Sequence, residues 1–298
     1  MTRPGLSPGF FTMTTPFSDL ELITSSANPL FKKVQALSSG RSWRKSSELL
    51  LIGEKEVQLA RELGLHFSHL FFSNDEIGSA AYLKQSEVKE PTEFRRLSPP
   101  LMAKLLPGHA GYGILAMAEL RLLDLPEEFS DCSHLIVLDG LQDPGNVGTI
   151  LRTAAAFNFQ EVIFLDGSVR LNNPKLWRAA CGSLPALRIY QSSRHALIQA
   201  LKNSKLKVLI ADLAGLPLDD WQRDCRSGGA AGLCLILGNE GHGPSAELKS
   251  AFPNRVTIPI SEGAESLNVA MAAGILMYGL RQEKRSDESS CQLCDDVL

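Results

Sequence analysis

Residues able to do chemistry gather in three short stretches, each leaving an apolar run. The first, Asp139–Gly148, follows Leu135–Leu138 and holds a Pro144-Gly145 turn, with Asn146 placed to cap a helix. Gly148 permits a close backbone approach at the start of that helix, whose free N–H groups attract an anion or a polar ligand. Arg152 stands one helical turn further on, near the helix mouth. The second stretch leaves Leu233–Leu237 through Gly238, Asn239, Glu240, Gly241 and Gly243. Three glycines within six residues suit backbone wrapped tightly around something, or simple turns. Their order is not Gly-x-Gly-x-x-Gly, so the dinucleotide fingerprint fails. The third follows Arg255–Ile258 and Pro259, carries Glu262, Gly263 and Glu265, and opens a final helix through Ser266, Leu267 and Asn268, with Ser266 as the plain N-cap candidate. With the amides, guanidinium, hydroxyl and carboxylate they carry, the three loops look like one site.

Strand-to-helix alternation must position these loops. The pattern predicts strands at Leu135–Leu138, Glu161–Leu165, Leu187–Ile189, Lys207–Ala211, Leu233–Leu237 and Arg255–Ile258. Helices are predicted at Val147–Phe157, near Pro174–Cys181, at Arg194–Leu201, near Ser245–Phe252 and at Leu267–Arg281. Short apolar strands between helices imply an α/β fold with a mostly parallel sheet covered on both faces, whose ligands bind beyond the carboxyl ends of strands. Upstream, helices at Pro29–Leu37, Glu54–Leu63 and around Gly78 mix with strands at Leu49–Ile52, His69–Phe72 and Gly113–Met117, which describes a small α/β domain. The proline-broken polar segment between them marks a linker. The expected organisation is a flexible leader at 1–20, a first domain at 21–118, a linker at 119–133, a second domain at 134–283 and a polar tail at 284–298.

The chain has 298 residues, 44% of them hydrophobic and 21% charged, which is globular rather than disordered composition and long enough for two cores. No stretch approaches the roughly 20 apolar residues of a membrane helix, and the N-terminus lacks a secretory pattern. The six cysteines are scattered in a way that suits free thiols in a cytoplasmic setting. Cys291 and Cys294 make a lone Cys-x-x-Cys in the tail with no second pair, so no metal site is expected. The net charge of −3 argues against a uniformly basic nucleic-acid binder. Charge is nevertheless clustered. Asn28–Lys45 holds Lys32, Lys33, Arg41, Arg44 and Lys45 with no acidic residue and with Phe31 and Trp43 interleaved, a possible phosphate-contacting stripe. A second basic excess, including Arg178, runs from Arg152 to Arg194. Either cluster could be only a solvated face; together they permit an RNA partner.

Taken together, the three loops resemble the motifs of the SPOUT superfamily, in its TrmH/SpoU branch of RNA ribose 2′-O-methyltransferases. The first motif, Asn-x-Gly-x-x-x-Arg-x-Ala, is present as Asn146, Gly148, Arg152 and Ala154. The second matches Gly238–Gly243, and the third matches Ile258-Pro259 followed by Ser266-Leu267-Asn268-Val269. Ala270 departs from the family, where many members carry Ser. More weakly, Ser26-Ala27-Asn28-Pro29 with Lys32, and Gly111–Met117, resemble an L30e-like substrate-binding domain.

The resemblance implies a deep trefoil knot, an exception to the rule against threaded chains. It implies S-adenosylmethionine as cofactor, contacted by Gly238, Ile258 and Leu267 and further by Leu213, Ala214, Asn239 and Gly241. It makes Arg152 the catalytic residue, with Asn146, Glu240, Ser266 and Asn268. It also implies a homodimer joined through the closing helix, whose apolar residues Val269, Ala272, Ala273, Leu276 and Leu280 suit an interface and an intrachain core equally. The expected substrate is structured RNA, ribosomal before transfer RNA. Two other readings compete. A non-catalytic RNA-binding or ribosome-assembly factor should have lost some of Asn146, Arg152, Glu240, Ser266 and Asn268. A Rossmann-like nucleotide enzyme should carry the missing fingerprint and its acidic ribose-binding residue.

Overall fold

The computed structural model describes residues 17–38, 47–73, 92–106, 113–120, 122–131, 133–180, 182–227, 232–261, 263 and 265–281. The strands are β1 (Leu22–Ile23), β2 (Glu48–Ile52), β3 (His66–Ser73), β4 (Glu93–Leu97), β5 (Ile114–Glu119), β6 (His134–Asp139), β7 (Glu161–Leu165), β8 (Arg188–Ser192), β9 (Lys207–Pro217), β10 (Leu233–Gly238) and β11 (Arg255–Thr257). The helices are α1 (Pro29–Ser38), α2 (Glu54–Glu62), α3 (Pro99–Leu105), α4 (Pro144–Ala156), α5 (Pro174–Ala180), α6 (Arg194–Asn203), α7 (Leu218–Ser227), α8 (Ala246–Ala251) and α9 (Val269–Leu280).

The first five strands form a mixed sheet in the order β1-β4-β3-β5-β2, in which β5 runs antiparallel to β2 and β3. Phe31, Val34 and Leu37 of α1 recur at helical spacing and bury against it with Phe71, Leu115 and Met117. Asn28 caps this helix, its Oδ1 accepting the Leu30 and Phe31 N–H groups. Strand β4 and helix α3 lie outside the predicted pattern: three of the five residues of Glu93–Leu97 are charged and much of the strand is only partly covered, and two prolines open α3. The helix expected around Gly78 lies outside the described residues.

The other six strands form an all-parallel sheet in the order β11-β9-β10-β6-β7-β8. Every residue of β7 and β10 is buried, as a sheet covered on both faces requires. Strand β9 continues past Ala211 to Pro217, and Gly215 lies where β11 crosses so closely that a Cβ would sit 2.7 Å from the Arg255 and Val256 backbone. Helix α7 was missed because Leu218 and Trp221 are its apolar anchors in an otherwise polar stretch. One apolar core runs through both sheets, from Leu49 and Val57 to Leu176 and Trp177. Asn172 Nδ2 donates to the Glu48 carbonyl on edge strand β2 at 3.2 Å. The segment read as a linker is pinned: Leu123 donates its N–H to the Ile189 carbonyl at 3.1 Å, and buried Phe129 meets Tyr190 edge-on.

Candidate active site

The three loops meet at the carboxyl ends of β6, β10 and β11. Register pairs Asp139, the last residue of β6, with Gly238, the last of β10, so the first two loops start side by side. Glycine is required at 238, because the loop folds back until a Cβ would lie 2.0 Å from the Pro244 nitrogen. Asn239 organises the turn. Its Oδ1 accepts the Gly241 and His242 N–H groups at 2.9 and 3.2 Å, and its Nδ2 donates to the Gly140 carbonyl at 2.9 Å. The Gly243 N–H donates to the Asn239 carbonyl at 2.8 Å, closing the loop on itself. Gly241 and Gly263 have neither a left-handed φ nor a neighbour closer than 3.6 Å to a Cβ, so packing does not demand glycine at either. Both leave room beside the loops.

A chain of amides links all three. Asn268 Nδ2 donates to Asn146 Oδ1 at 3.0 Å, and Asn146 Nδ2 donates to Glu240 Oε1 at 3.2 Å. The order fixes each amide: Glu240 can only accept, Asn146 must turn its Nδ2 towards it, and Asn268 must donate to the oxygen left over. Asn268 has a second task. Its Oδ1 accepts the Ala270 and Met271 N–H groups, so Asn268 and not Ser266 is the N-cap of α9. Ser266 is exposed and makes no hydrogen bond among the described residues.

Two further expectations are corrected. Asn146 does not cap α4: the helix begins three residues before Val147, and Asp143 is the cap, accepting the Asn146 N–H at 2.8 Å. The reason is Pro144, whose fixed φ suits the first helical position. Gly148 does make room for a close approach, but to α5: a Cβ there would lie 2.3 Å from the Ala179 Cβ and 3.0 Å from the Ala180 nitrogen. It therefore fixes how α4 seats in the domain. Arg152 is exposed and forms no ion pair or hydrogen bond among the described residues, which leaves its guanidinium available to an outside anion.

The residues expected at the cofactor lie around these loops. Gly238 is buried, Ile258 half-buried, and Asn239 and Gly241 are committed as described. Leu213, in β9 beyond its pairing with β10, and Leu267, one residue before the Asn268 cap of α9, are 67% and 38% exposed, large apolar surfaces without cover. Ala214 donates its N–H to Asp212 Oδ1 at 3.1 Å, and Asp212 Oδ2 lies 2.9 Å from Lys249 Nζ. Burial acts to raise the Asp212 pKa, but the Lys249 and Ala214 bonds outweigh it and hold the carboxyl below its usual value.

Of the basic residues, Lys32 is exposed and Lys33 is 2.7 Å from Glu48, while Arg41, Arg44 and Lys45 lie outside the described residues. Arg178 is exposed on α5 and contributes favourably to the charge of half-buried Glu56. Arg188 and Arg194, part of the second basic excess, are committed to Glu161 and Asp139. On α9 the buried face is Ala270, Ala273, Leu276, Met277 and Leu280, so Ala273, Leu276 and Leu280 serve the core. Met271, Ile275 and Tyr278 form an exposed apolar stripe that had not been singled out, though their spacing of four and three was legible. Asp139, expected as the first residue of the first loop, is the last residue of β6. Among the described residues no cluster of acidic, His or Cys side chains could hold a metal, and no helix is long and apolar enough to cross a membrane.

Comparison with known proteins agrees with this arrangement. Residues 133–278 match the SpoU rRNA Methylase family. A tRNA/rRNA methyltransferase of Synechocystis, itself uncharacterised, is 29% identical over 269 residues, covering 90% of this chain and 96% of that protein. The 23S rRNA guanosine 2′-O-methyltransferase RlmP of Bacillus subtilis is 35% identical over 159 residues, covering 53% of this chain and 62% of RlmP. The fold is shared with the AdoMet-bound rRNA methyltransferase of Sinorhizobium meliloti, with a TM-score of 0.73 at 23% identity over 88% of this chain and 97% of that one. With the three motif loops converging as they do, residues 133–278 form a domain that matches the SpoU family of methyltransferases.

Proposed function

We propose that this protein methylates a ribose 2′-hydroxyl in structured RNA, ribosomal RNA in preference to transfer RNA, with S-adenosylmethionine as methyl donor. The observation that carries the reading is the Asn268–Asn146–Glu240 hydrogen-bond chain, centred on the helix that also carries Arg152, whose guanidinium has no partner among the described residues. The 2′-O-methyltransferase activity named for RlmP supports the reaction class. The loops suit the donor: exposed Leu213 and Leu267 offer apolar walls, and the open space at Gly241 admits a ligand against backbone.

S-adenosylmethionine, when bound, supplies a methyl on a cationic sulfonium. The chain's own residues orient the acceptor and help move one proton. Arg152 does not serve as the base, because a guanidinium offers five N–H donors and no acceptor. It grips the phosphate next to the target ribose and polarises the hydroxyl, whose proton leaves to that phosphate or to water. Asn146 is held in one orientation by Asn268 and Glu240, so it meets the substrate without first losing rotamer freedom. Ser266, which is exposed, is proposed to touch the ribose.

The domain boundaries proposed are 21–118 for an L30e-like RNA-binding domain and 134–283 for the knotted methyltransferase domain, joined by 119–133. Lys32, Lys33 and Arg178 are the described residues proposed to meet RNA phosphates. The course of β11 against Gly215, followed by α9 packing back on α4 and α7, supports the trefoil knot. The Met271, Ile275 and Tyr278 stripe supports a homodimer through α9. The protein acts in the cytoplasm, where its RNA is.

The test is transfer of labelled methyl from S-adenosylmethionine to total RNA and precursor particles from a strain lacking the gene, with wild-type protein and Arg152→Ala. Alkali-resistant label that disappears with Arg152→Ala is the expected result, and the size of the labelled RNA separates ribosomal from transfer RNA. Cofactor binding without transfer to any RNA would favour the binding-factor reading.

A further inference from the structure

Asp139 is 2% exposed, yet it carries a charge at the point where the first two loops diverge. Its Oδ1 receives Arg194 Nε at 2.8 Å and Nη2 at 2.6 Å, and its Oδ2 accepts the Ser245 N–H at 2.7 Å. Arg194 is itself fixed, donating from Nη2 to the Asp166 carbonyl at 3.0 Å. Such a buried carboxylate is tolerable only because cation and amide both satisfy it. Ser245 is where the glycine-rich loop re-enters the fold, and Gly238 is where it leaves. Asp139 holds both ends: Gly238 through ladder register, Ser245 through the side chain. The same residue opens the short loop that leads into α4 and Asn146.

We infer that Asp139, neutralised by Arg194, is a positioning residue that sets the separation between the Asn146 loop and the Glu240 loop. It touches no substrate. Its effect passes through the eight-residue loop from Gly238 to Ser245, closed by the Asn239–Gly243 bond, so a change at Ser245 reaches Glu240 without slack. The catalytic half of this inference rests on the proposed methyl transfer; the positioning half does not. Asp139→Asn keeps the shape but presents an amide NH₂ to either Arg194 or the Ser245 N–H, setting donor against donor in both orientations.

Two readouts test it. Amide hydrogen exchange on the cofactor-free protein should show Ser245 and Gly241 losing at least tenfold protection in Asp139→Asn, with β6 and β10 still protected. Arg194→Lys, which keeps the charge but cannot reach both Asp139 and Asp166 as a fork does, should show a smaller loss at the same amides, and it replaces Asp139→Asn should that variant not fold. The second readout is a double-mutant cycle on single-turnover methyl transfer. Asp139→Asn should slow the wild type at least tenfold but slow Glu240→Gln no more than twofold, because the loop's cargo is already gone. Unchanged protection at Ser245 in both variants, or equal slowing in the two backgrounds, overturns the inference. If wild-type protein transfers no methyl, the proposed function fails while the exchange readout still decides the positioning.

Discussion

Gly148→Ala separates two meanings of one motif glycine. If Gly148 served only a ligand, a methyl would disturb binding and leave the helices where they are. In the structure the methyl would meet the Ala179 Cβ at 2.3 Å and the Ala179 carbonyl carbon at 2.8 Å, whereas ordinary contact begins at 3.4 Å. Helix backbone cannot yield as a flexible side chain does, so α4 must move away from α5 by about 1 Å. Overpacking of this kind costs about 1–3 kcal/mol, and the better helix propensity of Ala returns roughly 1 kcal/mol. The net loss of up to about 2 kcal/mol corresponds to a Tm fall of about 0–8 °C for a domain of this size. The larger consequence is positional. A shift of that size carries the 3.0 and 3.2 Å bonds of Asn146 beyond hydrogen-bond range, and a misplacement of about 1 Å is worth as much as 10²-fold in rate. Thermal denaturation and single-turnover methyl transfer measure the two effects. Gly274→Ala is the control, since a Cβ there meets only Thr153 Cγ2 at 3.8 Å. Wild-type Tm and rate in Gly148→Ala would refute the helix-seating argument.

Three other expectations follow from the geometry. Asn268→Asp should keep Tm at or above wild type, because a carboxylate still caps α9, while methyl transfer falls for want of the Nδ2 donor to Asn146; Asn268→Ala should lose both, with about 1 kcal/mol of stability. Cys234 is fully buried, and burial pushes its thiol pKa far up, so peptide mapping after alkylation of native protein should find Cys234 unmodified until denaturant is added. Asp212 has a lowered folded-state pKa, so its contribution to stability is complete above the unfolded carboxyl value near about 4 and is lost as pH falls through the folded value. Urea midpoints should drop more steeply in acid for wild type than for Asp212→Asn; parallel curves would remove Asp212 from the acid response.

The sequence alone determined most of the second sheet and the location of the chemistry. Runs such as Leu233–Leu237 can only be satisfied by burial on both faces, and proline and glycine punctuation ends them locally, so strand, loop and helix followed from neighbouring residues. What escaped was weakly patterned: β4, three of whose five residues are charged, and α7, with two apolar anchors. Function within the loops was another matter. That Asp143 rather than Asn146 caps α4, and Asn268 rather than Ser266 caps α9, depended on where each helix could start once its neighbours were in place. The bonds that build the site join residues 94 and 122 positions apart, and the Asp139 staple reaches across 55 and 106. No periodicity encodes such pairs. They exist because parallel register sets Gly238 beside Asp139, and because the missing side chain of Gly148 lets α4 seat against α5. The sequence supplies polar side chains whose donors and acceptors can be matched in several ways, and only the packed tertiary structure selects one.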